Sequence, residues 1–301
     1  MYDIVVNPAT GSGRGMKTFH KIRPFLDREK IPYRLHCSKA GKGIGDIVRE
    51  LSSGKPCDII IIGGDGSMNE AVNGIADFDS TRLAFIPSGS GNDLGRDLKI
   101  KTAEEEIRRI VTDRAERLTD IGLCEYNGKK RLFNISSGLG FDAETCFYAD
   151  RSPLKGILNR FFIGKLVYIL TALKLIFRNK TFELRVKTSD GRTEEYRKCL
   201  FVVGMNHRFE GGGFMFCPEA DDSDGLLDIC LVDGVTPLKF LWMFPTALNG
   251  KHVKYKEISI FRAESVELSV KHPCHIHHDG ESDSKTDFVR LSVFDKKLRL
   301  I

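Results

Sequence analysis

Asp58 to Glu70 read DIIIIGGDGSMNE, and Leu83 to Asp93 read LAFIPSGSGND. In each block an apolar run, the composition of a buried strand, empties into a glycine-rich turn that carries an acid. Glycine lets backbone N–H groups approach an anion with no Cβ in the way, and a following helix adds its positive end. The acids cannot bind phosphate directly, so a metal cation between them and the phosphate is the natural reading. One such turn is weak evidence. Two of this composition, both at strand ends, suggest a nucleoside triphosphate site.

Outward from these turns the first half alternates strand and helix. Asp3–Val6 reads as a strand, followed by the loop Asn7–Arg14 and a helix to about Glu29. Tyr33–Cys37 and Ile44–Leu51 supply the next strand and helix, and a helix through Ile75 follows the GGDG turn. Thr102 and Glu105 form a capping box for a further helix. Such alternation with apolar strands argues for a mainly parallel sheet covered on both faces, with ligands at the carboxyl ends of its strands. After Asp120 the pattern changes. Asn127-Gly128 and Asp190-Gly191 sit between alternating runs as hairpin turns, and Ser265–Val270 and Phe288–Phe294 continue the alternation. A β-rich antiparallel second domain of sandwich type is expected.

GGDGSMNEAVNGI and PSGSGNDLGR resemble the diacylglycerol kinase catalytic family, which includes bacterial lipid kinases and sphingosine and ceramide kinases. That family usually writes GGDGT-x-NE and P-x-GT-x-ND. Here Ser67 and Ser90 stand at the threonine positions and keep both hydroxyls. The resemblance continues, in family order, at Asn7-Pro8 with Gly11 and Gly13, Asp120-Ile121-Gly122, and Phe133-Asn134 with Gly138 and Gly140. It extends through Gly211-Gly212-Gly213, Pro218 to Asp228 and Asp279-Gly280-Glu281.

The resemblance implies an NAD-kinase-like α/β domain over residues 1–122, with 295–301 returning to it, a β-rich lipid-substrate domain over 123–294, and a nucleotide cleft between them. It implies ATP and Mg²⁺ as cofactors. Asn7, Pro8, Ala9, Thr10, Gly11 and Ser38 would hold ATP together with Gly64, Asp65, Gly66, Ser67, Met68, Asn69, Glu70 and Ser90. Asp65, Asp93 and Asp120 would cluster around the active-site magnesium, partly through water. Glu281 would be the general base, with Asp65 as its catalytic companion. Transfer of the γ-phosphoryl group to diacylglycerol is the implied reaction. Other lipids, or a soluble acceptor as in NAD kinases, are the alternatives.

Individual positions also have plainer readings. Asp65 could cap the following helix, but Ser67 is the better cap candidate, three residues before Glu70, which leaves Asp65 for a metal. The acidic loop Pro218 to Asp228 suits a hard cation but lacks EF-hand spacing. The resemblance assigns a structural magnesium there, on the carbonyls of Asp221 and Leu226 and the carboxylate of Asp224. Cys274-His275-Ile276-His277-His278 suggests zinc only superficially, since neighbouring strand residues point to opposite faces.

Hydrophobic residues make up 41% of the 301 residues and charged ones 29%, the balance of an ordinary globular chain, at a net charge of +5. Eight scattered cysteines without a Cys-x-x-Cys pair, and no signal peptide, point to a reduced cytoplasmic setting. Arg151 to Phe182 contains no acid and carries Lys155, Arg160, Lys165, Lys174, Arg178 and Lys180 among apolar residues. At helical spacing Arg160, Lys174 and Arg178 share a face, which fits either a helix covering the β domain or contact with an anionic membrane. The expected partners are therefore a lipid presented at the inner face of the membrane, with peripheral contact, and no nucleic acid. A homodimer is compatible with this reading.

Overall fold

The apolar runs of the first half are strands buried on both sides. Ile59, Ile60, Ile61 and Ile62 are fully inaccessible, each worth roughly 1.5–3 kcal/mol of burial. The computed structural model describes residues 1–11, 13–152, 165–178 and 180–301. Two compact units result, one of Met1–Thr119 with Asp295–Ile301, the other of Asp120–Phe294.

In the first unit the elements are β1 (Tyr2–Val6), α1 (Arg14–Arg28), β2 (Tyr33–Cys37), α2 (Ile44–Leu51), β3 (Cys57–Gly63), α3 (Asp65–Gly74) and β4 (Thr81–Pro87). Then come α4 (Asp93–Asp97), α5 (Ala103–Thr112), β5 (Arg117–Thr119) and, from the chain end, β17 (Leu298–Leu300). Their sheet runs β2-β1-β3-β4-β17-β5, parallel except where β17 meets β5. Strand β1 lies between β2 and β3, so the chain leaves it in opposite directions. That is the switch point where such sheets hold ligands. Ile4, Val6, Ile60, Ile62, Ala84 and Ile86 pack against Phe19, Ile22 and Leu26 of α1 and Ile107 and Ile110 of α5. The Thr102 hydroxyl accepts the Glu105 N–H at 3.1 Å, the cap expected for α5.

The second unit holds β6 (Gly122–Tyr126), β7 (Lys129–Phe133), β8 (Ser136–Gly140), α6 (Phe141–Asp150), α7 (Lys165–Ile176), β9 (Phe182–Thr188), β10 (Thr193–Met205), β11 (Phe209–Glu210) and β12 (Phe214–Met215). It continues with β13 (Leu227–Asp233), α8 (Pro237–Met243), two 3₁₀ turns (Phe244–Asn249 and Lys251–Lys254), β14 (Ile258–Ala263), β15 (Ser265–His278) and β16 (Glu281–Val293). The sheet runs β14-β13-β10-β8-β15-β16-β6-β7, with β9 pairing both β10 and β15. Strands β10 and β15 each pass from β9 to β8 across a register break. Such bulges let one antiparallel sheet fold over itself and enclose a core. Leu139, Leu184, Val202, Ile229, Leu268 and Leu291 lie in that core. The two hairpins form at Asn127-Gly128 and Asp190-Gly191, although Ile135 falls past the end of β7, in the turn leading to β8.

Candidate active site

Three loops leave the carboxyl edge of the parallel sheet side by side. The Asn7 N–H donates to the Ile62 carbonyl at 3.2 Å, and the Ser88 N–H to the Gly63 carbonyl at 2.7 Å. A Cβ on Gly89 would stand 2.6 Å from the Cα of Gly64, so the two glycine turns touch through their backbones. Pro8 is half-buried and Ala9 exposed, with the Ala9 N–H donating to the Asn7 side chain at 3.0 Å. The Thr10 and Ser67 hydroxyls are 3.4 Å apart. Ser38 closes β2, its N–H on the Val6 carbonyl at 3.0 Å. The motifs do not name Arg14, yet its Nε donates to the Gly11 carbonyl at 3.1 Å and its Nη2 to the Ser90 hydroxyl at 2.9 Å. It places a guanidinium among the turns. The available signal was a cation opening the helix behind a glycine loop.

The expected division of labour between Asp65 and Ser67 is corrected. Helix α3 begins at Asp65 behind a Gly64 N-cap with no side-chain cap bond, so Ser67 lies inside the helix. Asp65 instead serves α4: its Oδ2 accepts the Asp93 N–H at 3.1 Å and its Oδ1 the Leu94 N–H at 3.2 Å. Asp93 is buried and paired with Arg96. The side chains of Met68 and Asn69 are fully buried, and the Asn69 backbone carbonyl accepts from the Asn73 side-chain amide at 2.9 Å. Glu70 accepts the Ile44 N–H at 3.0 Å, capping α2. These three therefore build the site's frame. What faces outward is half-exposed Gly64, Asp65 and Gly66, with Ser90 exposed beside them.

Asp120 belongs to the second unit, where it is buried and organises the acidic loop. Its Oδ2 accepts the Gly225 N–H at 2.8 Å, its N–H donates to the Asp222 carbonyl at 2.6 Å, and its carbonyl accepts from Asn206 at 2.7 Å. Within residues 218–228, Asp221 accepts from the Ser223 N–H at 3.0 Å and Asp224 from the Leu226 N–H at 3.0 Å. Asp224 Oδ2 also lies 3.9 Å from Arg262.

Asp279 and Glu281 have opposite surroundings. Asp279 is buried, and its carboxylate accepts the backbone N–H groups of Asn134 (2.9 Å), Ile135 (2.8 Å) and Ser136 (2.9 Å). Glu281 opens β16 with its side chain 48% exposed, 3.0 Å from Arg131 Nη2. Two cavities in this unit, of about 470 and 340 Å³, are lined by none of the expected site residues.

The model of the diacylglycerol kinase catalytic domain matches residues 2–124, and that of the YegS C-terminal NAD kinase beta sandwich-like domain matches 137–301, more than half of the chain. A diacylglycerol kinase of Mycobacterium tuberculosis (strain H37Rv) is 31% identical over 282 residues, covering 92% of this chain and 87% of its own. The chain belongs to the diacylglycerol kinase family. A Bacillus subtilis (strain 168) diacylglycerol kinase is 27% identical over 92% of this chain and 88% of its own. A diacylglycerol kinase crystal structure from Bacillus anthracis str. Sterne aligns over 100% of this chain and 96% of that one, at TM-score 0.72 and 21% identity. An Archaeoglobus fulgidus NAD kinase in complex with ATP aligns at TM-score 0.54 and 13% identity, covering 100% and 93% of the two chains. These last two likenesses establish the fold, the α/β and β-rich pair expected from the sequence. The chain is thus a kinase, a phosphotransferase of this family.

The histidine run takes an unexpected form. His277 is fully buried, its Nε2 2.9 Å from Asp142 of α6 and its Nδ1 3.5 Å from Glu210 of β11. Burial alone would depress this imidazolium, but Glu210 and Asp142 outweigh it and hold it up at about 9. His278, behind it, is pushed down to about 3 by burial and by His277, and meets the Ser137 hydroxyl at 3.0 Å. Among the described residues no three His, Cys, Asp or Glu side chains group as metal ligands.

Because the folded value at His277 exceeds the unfolded one near 6.5, its stabilisation is complete below pH 6.5 and lost as pH rises towards 9. The loss is on the order of 3 kcal/mol across that window. His277→Gln should abolish that part of the slope in chemical denaturation run from pH 6.5 to 9. An unchanged slope in the variant would show that the triad is not charged as described.

Of the expected cationic face, Lys174 and Arg178 are exposed. Lys155, Arg160 and Gly164 lie outside the described residues, as does the Lys165 side chain. On the described part, Ile169, Leu170, Leu173 and Phe177 are exposed beside exposed Lys174 and Arg178. The outer face of α7 is thus apolar with a basic margin. Among the described residues no helix is long and apolar enough to cross a membrane.

Proposed function

We propose that this kinase transfers the γ-phosphoryl group of ATP to a lipid hydroxyl, with diacylglycerol as acceptor and phosphatidic acid as product. The observation that carries the reading is the pair of touching glycine turns at the carboxyl edge of the sheet, with Asp65 behind them, in a chain of this family. Phosphoryl transfer needs positioning and charge neutralisation more than covalent chemistry. The backbone of the turns offers N–H groups to the phosphates, and Arg14 adds a fixed cation next to Ser90. Glu281 accepts the proton of the acceptor hydroxyl as its oxygen bonds to the γ-phosphorus, and the bond from that phosphorus to the β–γ bridging oxygen breaks, leaving ADP.

Magnesium fits the residues present. Asp65 and Asp93 of the first unit offer the hard carboxylate oxygens this ion takes, Asp93 beside Arg96. When bound, the ion would neutralise phosphate charge. A second, structural ion in the loop 218–228, on the carbonyls of Asp221 and Leu226 and the carboxylate of Asp224, belongs to the same proposal, with Arg262 as a competing cation beside Asp224. Asp65→Asn should reduce activity by roughly 10–100-fold, the range for residues acting on a metal through its shell, and raise the magnesium needed. Magnesium titration of initial rates checks this. A parental titration curve would remove Asp65 from that role.

The acceptor is tested by offering γ-labelled ATP with diacylglycerol in vesicles, with other lipids, and with NAD in solution. Label in phosphatidic acid supports the proposal, while label in NADP would favour a soluble-substrate kinase. Action at the inner face of the membrane belongs to the same proposal, supported by the apolar outer face and basic margin of α7.

A further inference from the structure

Helix α8 and the 3₁₀ turn Lys251–Lys254 form a second outward apolar surface, for which the reaction has no use. Thr236 caps α8 and Pro237 opens it, so the helix is locally specified. Its inner side is seated: Phe240 and Met243 are buried, and Phe240 stacks on Phe244 at 5.0 Å and meets Phe141 of α6 at 5.2 Å. A helix anchored this way ordinarily shows solvent a polar face. Here the opposite side carries Leu238 and Trp242, four residues apart, 75% and 67% exposed. The Trp242 ring touches that of Tyr255 at 5.6 Å, and the Lys254 ammonium lies 5.3 Å over Tyr255. Val253 and Leu248 are exposed nearby in the chain, and buried His252 pins the turn to the Phe216 carbonyl at 3.0 Å. The outward residues are therefore held in place rather than loose.

Two observations choose the occupant. Residues 235–256 contain no acid, while Lys251, Lys254 and Lys256 are exposed and Lys239 pairs with Glu257 at 2.6 Å. Protein interfaces are depleted of lysine, whereas a Trp–Tyr–Leu surface ringed by lysines is the composition that settles at the boundary of an anionic bilayer. We propose that Leu238, Trp242, Tyr255 and the lysines of 251–256 dock this kinase on an anionic lipid bilayer. This inference rests on the lipid-acceptor reading and names the surface by which the enzyme meets its substrate. Helix α6 adjoins both α8, through Phe141 and Phe240, and α7, through the Tyr168 hydroxyl on Asp150 at 2.7 Å, so the two apolar faces share a neighbour.

Trp242 is the only tryptophan in the chain, so its emission reports this surface alone. The full chain is titrated with vesicles of phosphatidylglycerol, and separately of phosphatidylcholine, each with and without brominated acyl chains. Phosphatidylglycerol should blue-shift the emission and brominated lipid should quench it, with little effect in phosphatidylcholine. Lys251→Gln with Lys254→Gln should weaken the partition at least about 10-fold, given roughly fivefold per lysine near an anionic surface. Leu238→Ser should weaken it without altering the salt dependence. Three results overturn the docking. One is flotation with vesicles while Trp242 emission stays water-like. Another is no binding to anionic vesicles. The third is emission already blue and shielded from iodide without lipid, in a chain that sediments as a dimer, which makes the occupant a second copy. A water-dispersed short-chain diacylglycerol separates the two readings. Transfer to it without any change at Trp242 in vesicles sinks the docking surface alone, and absence of transfer to every lipid sinks the acceptor reading instead.

Discussion

Glu281→Gln is expected to lower kcat by roughly 10²–10⁴-fold, the range for loss of a general base, with melting temperature and ATP affinity near parental values. Glutamine keeps the size and hydrogen-bonding capacity of glutamate but cannot take the acceptor proton. The fold has little at stake, because Glu281 is 48% exposed at the start of β16 and its Arg131 pair is partly solvated. Such pairs contribute ~0–1 kcal/mol. Nucleotide affinity should hold because the phosphate turns lie in the other unit. The check is steady-state kinetics beside calorimetric ATP titration. More than about a tenth of parental kcat, set against that range, would put the base elsewhere, with Asp65 the first suspect.

Asp279→Ala should do the opposite: large damage to stability, through a residue that does no chemistry. The carboxylate receives three backbone N–H groups in the buried turn at 134–136. Removing it strands these donors at ~1–3 kcal/mol each. A loss of about 3 kcal/mol or more follows, or roughly 6–12 °C in Tm for a unit this large. Asp279→Asn should fall between, keeping one acceptor oxygen but turning an N–H against an N–H. Thermal denaturation of both variants checks the order. A parental Tm for the alanine variant would mean water satisfies those donors. Two carboxylates of one three-residue motif thus separate by experiment into frame and chemistry.

The fold was legible where the signal is local. Four isoleucines before Gly63-Gly64 can only be a strand buried on both faces, and Asn127-Gly128 can hardly be anything but a hairpin turn. The site was legible in part, because glycine turns at strand ends are also local. Contacts that join distant segments were not. Asp65 caps a helix whose first residue is Asp93, Asp120 gathers a loop around Gly225, and Glu70 caps α2. No periodicity carries such pairings. The triad of Asp142, Glu210 and His277 comes from three elements, so the histidine run, set aside as a zinc site by strand geometry, gave no hint of two carboxylates. Reading Arg151 to Phe182 by its cations missed the apolar outer face of α7. Which side of a helix meets the β domain is set by packing, and charge spacing does not reveal it.

γ-Phosphoryl transfer to a lipid, with Glu281 as the base, is decided by comparing γ-labelled and α-labelled ATP in a single incubation series with diacylglycerol vesicles, followed by organic extraction. Label is expected in phosphatidic acid from γ-labelled ATP alone, reduced by roughly 10²-fold or more in Glu281→Gln. Label that stays in the aqueous phase for every lipid offered, or equal transfer by parent and variant, would contradict it.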